Sequence, residues 1–494
     1  MRIAFVFNPF KYKVHEENLR IVQKYFGLFP PLSMSWAASI ARKAGHEVTL
    51  IDARTLNLSM DEVLERLKAF KPDIMGFMMT TYMFPDTLEW IRYLKARLNI
   101  PVVVGGYNLR VYPKESVSHP EIDYGVIEHA LDTVPQLLEA LEGKRKLSDV
   151  VGLVYKENDE IKLNPPQPVD FEKFPNPARD LLPNDLYAEF PTERKNFTVM
   201  VTSLGCPYGC GFCEAGRTAY NPRSPETVMN EIEECYDKYG IREIDFFDYD
   251  FTAIKKRTID ICRLIRERKL DILWACRSRI DVDEELLREM RDAGCGRIYY
   301  GIESGSQETL DRVNKGITLD QIRTTVRATK TLDMKALGFF LVGAPGETRH
   351  SVKQTVRFAQ SLNLDYVQFS KCLAKPLTPL WKQMVKKEGK DYWREWILGN
   401  ETDRPLPRPW TELTNEELDD LAKWAYVQFH SRPAFLIKAA LKVRSFTEFK
   451  RKFLGYIEMV FGQERVSKED KKFVAYHEDK RRLDFYRKLA KFKP

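Results

Sequence analysis

The chain has 494 residues, a hydrophobic fraction of 44%, a charged fraction of 30% and a formal net charge of +7. This length exceeds one compact core and predicts two or three domains, and the composition excludes a disordered or fibrous protein. No window holds the roughly 18 uninterrupted apolar residues of a membrane-spanning helix, and the first residues lack a secretory signal, so we expect a cytoplasmic protein.

Residues 1–150 alternate β-rich runs with helical patterns, beginning with RIAFVF and continuing through EVTLIDA, DIMGFMM and PVVVGG. The runs are apolar throughout, as in strands covered by helices on both faces. This pattern predicts a doubly wound, Rossmann-like parallel sheet. Ligands of such sheets bind at the carboxyl ends of the strands. Those ends carry Asn8, Pro9, Thr80, Thr81, Gly105 and Gly106.

Three further regions follow in chain order. Residues 151–192 are rich in Pro, Asn and Asp and are predicted to be a linker. Residues 193–376 hold six strand-like runs, from NFTVMVTS to LDYVQFSKC, each followed by a helical pattern. Six β/α units predict a partial (β/α)6 barrel with its active site in the loops after the strands. Strand signals then stop, so 377–494 are predicted to be a helical C-terminal domain whose tryptophans lie mainly in its core.

A cysteine loop directly follows the first strand of the barrel and has the pattern CxxxCxxC. Its cysteines are Cys206, Cys210 and Cys213, interspersed with Gly205, Gly209 and Gly211. Three thiolates at this spacing can hold one [4Fe-4S] cluster, and the glycines allow the tight backbone that this needs. Ferredoxin-type clusters use four cysteines, so three leave one iron open to a non-protein ligand. A zinc site with a fourth ligand elsewhere and chance clustering are the alternatives.

With Phe212 before its third cysteine, the loop resembles that of radical S-adenosylmethionine (SAM) enzymes, specifically the group with an N-terminal cobalamin-binding domain. The segments RSPETVMNEI, FFDYDFT, WACRSRID, AGCGRIYYGIESGS and FFLVGAPGET stand in the order expected of that family. The resemblance implies that the three cysteines hold the cluster and that the open iron binds SAM. It also implies that reductive cleavage of SAM yields a 5′-deoxyadenosyl radical.

The resemblance further places SAM at the carboxyl ends of the barrel strands. The ammonium group of SAM requires an acidic partner, and its ribose diol requires an acidic or hydroxyl partner. Its carboxylate requires a cationic partner. Ordinary ion pairs within the barrel are the alternative for each charged residue. The residues implied are Asp248, Asp250, Arg277, Arg279, Glu303, Ser304 and Gly343.

Five cysteines lie outside the loop, and most are interpreted as buried small hydrophobes. Cys276 and Cys372 close predicted barrel strands. At those positions a thiol could point at the substrate and donate a hydrogen atom, so both are candidate catalytic residues.

The first module resembles the family's cobalamin-binding domain in the order of its elements, including the Thr80–Thr81 strand end and the Gly105–Gly106 turn. It lacks an Asp-x-His-x-x-Gly motif, so no histidine would reach cobalt from below. The segment VIEHALDTVPQLL replaces a glycine-rich turn of the family, and we interpret its His129 as an ordinary histidine. The alternative is that the domain has lost cobalamin and remains as a docking lid.

Together the two modules imply radical-based transfer of a methyl group from cobalamin to an unactivated carbon. The expected substrate is bulky and apolar with an anionic end, such as an isoprenoid lipid, hopanoid or tetrapyrrole. Ring formation is the rival reaction, because the layout is similar to that of anaerobic magnesium-protoporphyrin cyclases. A cobalamin-binding sensor or carrier with a non-catalytic cluster is the rival class.

The expected partners are a small-molecule or lipid substrate and an external electron donor of the flavodoxin or ferredoxin type, with the chain a monomer or homodimer. Residues 438–452 and 480–493 interleave Lys and Arg with apolar residues. We interpret them as solvated helix faces, with a peripheral membrane-surface or phosphate contact as the alternative. The modest net charge predicts no nucleic-acid partner.

Overall fold

A computed structural model of the chain describes residues 1–10, 27–189, 191–401, 406–433 and 435–436. Within these ranges the strands form a seven-stranded sheet, a two-stranded ribbon and a six-stranded sheet. The predicted fold class, a doubly wound parallel sheet followed by a partial barrel and helices, is confirmed. None of the described helices is both long and apolar enough to cross a membrane.

The N-terminal elements are β1 (Arg2–Phe7), α1 (Leu32–Lys43), β2 (Glu47–Asp52), α2 (Ala53–Leu56), α3 (Met60–Phe70), β3 (Ile74–Met78), α4 (Phe84–Leu98), β4 (Val102–Gly105), α5 (Tyr107–Val111), α6 (Pro113–Val117), β5 (Tyr124–Val126), α7 (Ala130–Leu141), β6 (Leu153–Glu157) and β7 (Glu160–Leu163). The order in the sheet is β2-β1-β3-β4-β5-β6-β7. Strands β1 to β5 are parallel, and β6 and β7 are antiparallel. The winding reverses between β1 and β3, where doubly wound sheets bind their ligands.

The segment 151–192, predicted to be a linker, contributes β6 and β7 to this sheet. Farther along it, the buried Arg179 donates hydrogen bonds to Thr198 Oγ1 at 2.6 Å and to the Val199 carbonyl at 2.9 Å, and it pairs with the buried Glu231 at 2.7 Å. Thr198 and Val199 belong to the edge strand of the barrel. Because an uncovered edge invites unwanted strand pairing, this segment protects the barrel edge.

The barrel region contains β8 (Phe197–Met200), β9 (Ser203–Cys206), β10 (Thr218–Pro222), α8 (Pro225–Lys238), β11 (Glu243–Phe246), α9 (Lys255–Glu267), β12 (Leu273–Ser278), α10 (Glu284–Asp292), β13 (Cys295–Glu303), α11 (Gln307–Arg312), α12 (Leu319–Thr331), β14 (Lys335–Val342), α13 (Arg349–Ser361) and β15 (Tyr366–Lys371). Strands β8 and β11 to β15 are parallel and neighbour each other in chain order. Their helix-facing side chains form one continuous core with the surrounding helices. Strands β9 and β10 form the separate antiparallel ribbon.

The C-terminal part contains α14 (Pro379–Glu388), α15 (Tyr392–Ile397) and α16 (Asn415–His430). The first two share a core with the N-terminal sheet, including Trp393 and Trp396. Helix α16 packs into the barrel core instead, through Leu418 and Leu421 among others. The described helices of this region are therefore built onto both other parts of the chain. The basic stretches 438–452 and 480–493 lie outside the described residues.

Candidate active site

The cysteine loop grows out of the β9–β10 ribbon. Gly205, one residue before the first cysteine, has a φ of +72°, and a Cβ atom there would lie 2.0 Å from the Ala219 carbonyl oxygen. Only glycine fits this close approach of the two strands. The Cys206 N–H donates to Thr218 Oγ1 at 3.1 Å, so the first cysteine is fixed to the partner strand.

The rest of the loop is held by backbone hydrogen bonds. The Cys213 N–H donates to the Cys210 carbonyl at 3.2 Å, and the Gly216 N–H donates to the Cys213 carbonyl at 3.1 Å. The Gly211 N–H reaches outside the loop to the Val313 carbonyl, at 2.9 Å. The loop is thereby tied both to itself and to the segment after α11.

All three loop thiols are half-buried. Burial raises the pKa of Cys206, and it raises the pKa of Cys213 to about 11. Among the described residues, no three His, Cys, Asp or Glu side chains converge on a point where a single metal ion would bind. In a cubane cluster each thiolate would bind a different iron, and the positive metal ions would stabilise the thiolates.

Arg279, one of the predicted site residues, lies against this loop. Its guanidinium stacks 3.9 Å from the centre of the Tyr208 ring, and its Nη1 approaches Cys210 Sγ at 3.8 Å. Its Nη2 donates to the Lys315 carbonyl at 2.6 Å. The buried Lys315 ammonium in turn pairs with Glu303 at 2.8 Å. The structure thus brings two of the predicted residues, Arg279 and Glu303, to the cluster loop through a lysine that sequence reasoning missed.

The two aspartates after β11 have different surroundings. Asp248 is buried and accepts hydrogen bonds from the Thr202 N–H at 2.7 Å, from Thr202 Oγ1 at 2.6 Å and from Ser203 Oγ at 2.6 Å. It therefore anchors the start of the cluster strand. Asp250 is also buried and accepts from the N–H and hydroxyl of Thr252, at 3.1 and 2.8 Å. Burial raises the pKa of both carboxyls.

Ser304 and Gly343 lie at the ends of β13 and β14. The Ser304 hydroxyl shares a hydrogen bond of 3.0 Å with Thr355 Oγ1. Gly343 has a φ of +80°, and a Cβ atom there would lie 2.6 Å from Leu418. Its carbonyl accepts from Trp410 Nε1 at 2.9 Å. These contacts fix the backbone of both strand ends.

The two candidate catalytic cysteines are both buried. Cys276 belongs to the core between sheet and helices, whereas the preceding residue, Ala275, packs with Tyr299 and Leu337 on the opposite face. Because side chains alternate along a strand, the Cys276 thiol faces the helices, and this orientation does not fit a hydrogen donor to substrate inside the barrel. Cys372 is buried in the core shared with the N-terminal domain.

The strand ends at the switch point of the N-terminal sheet carry two buried polar atoms without hydrogen-bond partners in the described structure. They are Asn8 Oδ1, after β1, and Thr81 Oγ1, after β3. Beside them, Gly106 has a φ of +115°, and a Cβ atom there would lie 2.7 Å from the Met79 carbonyl oxygen. Buried polar groups normally find a partner, so this end of the sheet suits a large ligand with polar substituents. Thr80 and Gly105 bind neighbouring backbone N–H groups of Met83 and Met79 here.

The N-terminal strand ends lie beside the cluster loop. Tyr107, directly after Gly106, has its pKa raised by burial and by the charges of Glu214 and Cys213. Tyr249 keeps 51% of its surface accessible. Its pKa is nevertheless raised, mainly by burial and then by the charges of Glu214 and Cys213. Phe212 of the cysteine loop packs against the core that contains the N-terminal sheet. The cysteine loop therefore faces the N-terminal domain.

A cavity runs along the inner face of the barrel. On β14 and β15 the helix-facing Phe340 and Phe369 are fully buried, whereas the inward-facing Phe339 and Gln368 stay half-exposed. Since both sets lie mid-strand, the difference shows that the inner face borders an open space.

Two parts of the chain match known families. Residues 200–359 match the radical SAM superfamily, and residues 20–138 match the B12 binding domain. An uncharacterized methyltransferase of Pyrococcus horikoshii is 34% identical over 442 residues, which span 87% of this chain and 94% of the relative. The chain belongs to the radical SAM superfamily, in the group that carries a B12 binding domain.

Other members of this group are also similar. The anaerobic magnesium-protoporphyrin IX monomethyl ester cyclase of Rubrivivax gelatinosus is 27% identical over 377 residues, 73% of this chain and 67% of the relative. The structure of the radical SAM methyltransferase TsrM from Kitasatospora setae, with cobalamin and [4Fe-4S] cluster bound, has a TM-score of 0.67 at 17% identity and covers 99% of both chains. This radical SAM enzyme accordingly uses a [4Fe-4S] cluster, SAM and cobalamin.

Sequence reasoning missed several residues around these cofactor sites. Tyr107 and Tyr249 each directly follow a predicted strand-end residue, Gly106 and Asp248, so their position at the edge of the sheet was a usable signal. Lys315 carries no such signal, because it lies after a helix and reaches the site only through the folded chain.

Proposed function

We propose that this radical SAM enzyme methylates an unactivated carbon of a bulky, largely apolar small molecule. Its cofactors, when bound, supply a 5′-deoxyadenosyl radical and a transferable methyl group. The observation that carries the proposal is that the two cofactor sites adjoin. Phe212 of the cluster loop packs against the core that contains the N-terminal sheet, and the Tyr107 hydroxyl of the B12 binding domain donates a hydrogen bond to the Pro376 carbonyl at 3.3 Å. This arrangement suits radical formation and methyl transfer to one substrate.

The residues around the cluster would have distinct roles. Cys206, Cys210 and Cys213 would hold the cluster. Asp248 is a positioning residue, since all its hydrogen bonds go to the start of the cluster strand. Arg279, beside Cys210, offers a cation for the SAM carboxylate.

Four further groups would complete the SAM site. Asp250 and Glu303 provide carboxylates for its ammonium and ribose groups, and Ser304 and Gly343 shape the neighbouring backbone. The electron that starts the reaction would come from an external donor of the flavodoxin or ferredoxin type.

The B12 binding domain would hold cobalamin at its switch point. Within the described residues, Asn8 Oδ1 and Thr81 Oγ1 have no hydrogen-bond partner and so could accept from the amide groups around a corrin ring. Gly105 and Gly106 have no side chains, so the cofactor could approach the backbone closely at these two residues. His129 has its pKa lowered by burial and packs edge-on against Phe174, so this neutral ring would be a core histidine rather than a ligand of cobalt.

Ring formation without methyl transfer is the second candidate, favoured by the similarity to the Rubrivivax gelatinosus cyclase. The two reactions differ in mass balance. Methylation replaces one substrate hydrogen by a methyl group, whereas ring closure removes two hydrogens. Incubation of cell extracts with the enzyme and methyl-deuterated SAM, followed by mass spectrometry, separates them.

Anaerobic reconstitution with iron, sulfide, cobalamin, SAM and a strong reductant tests the radical chemistry. We expect the wild-type enzyme to form 5′-deoxyadenosine and Cys210→Ala to form none. The matched control is Cys235→Ala, which removes a buried thiol of α8 and should retain the activity. Wild-type enzyme with an intact cluster and no 5′-deoxyadenosine would overturn the proposal.

A further inference from the structure

Arg277 lies on the inner face of the barrel, two residues before Arg279. It neighbours Tyr299 across the β12–β13 pairing, and its guanidinium stacks 3.6 Å from the centre of the Phe247 ring. Its side chain is 22% exposed, whereas its acidic neighbour Asp245 is 0% exposed. A cation is thus held in a fixed orientation at the border of the inner cavity.

Most of the hydrogen-bonding capacity of this guanidinium is unused. Nη1 contacts Asp245 Oδ1 at 3.4 Å and the Phe246 carbonyl at 3.3 Å, both long for charge-assisted bonds. Nε and Nη2 have no protein acceptor in the described part of the chain. They form the side-on pair of donors with which arginine binds a carboxylate or phosphate bidentately.

The second arginine of this face shows the contrast. Arg297 is 1% exposed and uses all three nitrogens, with Nε donating to Tyr299 Oη at 3.1 Å, Nη1 to the Pro191 carbonyl at 3.0 Å and Nη2 to Glu243 at 3.1 Å. Arg297 therefore serves the fold. Arg277 has the same chemistry but is left open toward the cavity.

The carboxyl groups near Arg277 do not occupy all of its hydrogen-bond donors. Burial, then the charge of Asp245, raises the pKa of Glu189 to about 8, so this group is mainly neutral at pH 7. Glu189 also accepts a hydrogen bond from Tyr299 Oη at 3.1 Å. Asp245 is the carboxyl that contacts Arg277, and it touches only the Nη1 side of the guanidinium.

Aromatic rings continue along the cavity from Arg277. Tyr299 and Phe339 stack with ring centroids 5.8 Å apart, and the half-exposed Tyr366 packs against the same cluster. An apolar ligand body would lie along these rings while an anionic end meets the arginine.

From this arrangement we infer that Arg277 binds a carboxylate or phosphate group of the substrate, whose apolar body lies along the aromatic inner face of the barrel. The inference rests on the proposed function and narrows its substrate to an apolar molecule with an anionic group. It assigns Arg277 to the substrate rather than to SAM, because Arg279 occupies the position beside the cluster loop.

Equilibrium dialysis of the reconstituted holoenzyme with three probes tests this assignment. The probes are 2-naphthoate, 2-naphthyl phosphate and the neutral 2-naphthylmethanol. A hydrogen-bonded charge pair contributes enough for roughly tenfold or greater preference, so we expect at least one anionic probe to bind about tenfold more tightly than the alcohol. The anion that binds better distinguishes a carboxylate from a phosphate substrate.

Two variants and one control locate the anion site. Arg277→Gln should remove the preference for the anionic probe. Arg277→Lys keeps the charge without the planar guanidinium, so its preference should be weaker than that of the wild type and stronger than that of Arg277→Gln. The control is Arg97→Gln, since Arg97 stacks 3.7 Å from the Tyr93 ring on the outer helix α4; it should keep the full preference. Arg277→Lys decides the question if Arg277→Gln does not fold.

An absent preference in the wild type, or a full preference in either folded Arg277 variant, would overturn the inference. Formation of 5′-deoxyadenosine by the same wild-type preparation is measured in parallel. If it forms without any anion preference, only the inference fails. If it does not form, the proposed function fails regardless of how the probes bind.

Discussion

Glu347 is a buried carboxyl that holds the turn after β14. Its Oε2 accepts hydrogen bonds from the Gly343 N–H at 2.7 Å and the Ala344 N–H at 3.1 Å, while its Oε1 is buried without a partner in the described structure. Burial outweighs these bonds and raises the pKa of Glu347 from 4.5 to about 7. A proton on Oε1 therefore stabilises the folded state.

The replacement Glu347→Gln tests this interpretation through pH. Between about pH 4.5 and 7 the folded chain holds a proton that the unfolded chain has lost, so the stability of the wild type falls as pH rises through this window. Glutamine mimics the protonated acid at every pH. Relative to the wild type, the variant should gain about 1 kcal/mol in free energy of unfolding from pH 6 to pH 8 in urea titrations.

The control for this prediction is Glu417→Gln, at an exposed capping box of α16. Hydrogen bonding to the backbone at Thr414 lowers the pKa of Glu417, so the carboxylate is ionised in both folded and unfolded chains at pH 6 and 8. The difference in free energy of unfolding between Glu417→Gln and the wild type should therefore be the same at pH 6 and pH 8. If the difference between Glu347→Gln and the wild type is also the same at both pH values, the role assigned to Glu347 is refuted.

At the scale of elements, the β9–β10 ribbon determines where the cluster loop lies. Its two strands approach so closely at Gly205 that any side chain would overlap the Ala219 carbonyl. Asp248 ties the ribbon to the barrel through Thr202 and Ser203. The loop is thus presented by a short, rigid element rather than by a long flexible turn.

Gly205→Ala should therefore disturb the cluster site. A Cβ at a φ of +72° and 2.0 Å from a backbone oxygen forces the strands apart, and we expect loss of most bound iron after reconstitution, measured by iron analysis and visible absorbance. Gly45→Ala is the control, because Gly45 also has a positive φ, of +91°, but nothing lies within 4 Å of its Cβ position. Equal iron contents in the two variants would contradict a steric role for Gly205.

At the scale of the whole molecule, the B12 binding domain, the barrel and the C-terminal helices share cores instead of folding as separate units. One core joins the N-terminal sheet with Leu341 and Cys372 of the barrel and with Trp393 of α15. Asp391 adds a polar link, accepting from the Tyr112 hydroxyl at 2.9 Å and from Trp381 Nε1 at 3.1 Å while capping α15. These contacts hold the N-terminal domain against the C-terminal helices.

Asp391→Ala should weaken the whole assembly. It removes a helix cap and leaves a buried tyrosine hydroxyl unpaired, at a cost of about 2–4 kcal/mol in free energy of unfolding. The matched control is Asp283→Ala, which removes the exposed cap of α10 and should cost about 1 kcal/mol. Urea unfolding and trypsin sensitivity measure both. Equal costs would show that the contact with Tyr112 does not stabilise the domain packing.

The amino-acid sequence alone predicted β1 to β4, β8, β11 to β15 and the cysteine loop, because apolar runs, helical periodicity and the CxxxCxxC spacing are local patterns. It also placed Arg279 and Glu303 at strand ends, where parallel strands meet at one edge. The three-residue strand β5 and the β9–β10 ribbon were not predicted, and neither were β6 and β7, whose segment contains many turn-forming residues and only a short hydrophobic run.

Only the tertiary structure decided which charged groups are fully hydrogen-bonded within the protein and which keep unused donors. Lys315 and Glu303 meet through the folded chain, and Cys276 faces the helices because of its register in β12. Arg277 differs from Arg297 in the hydrogen-bond partners that the surrounding chain provides. Such pairings join residues far apart in sequence, so no local pattern encodes them. The cysteine loop was readable from its spacing, whereas its place beside the N-terminal domain exists only once both domains are packed together.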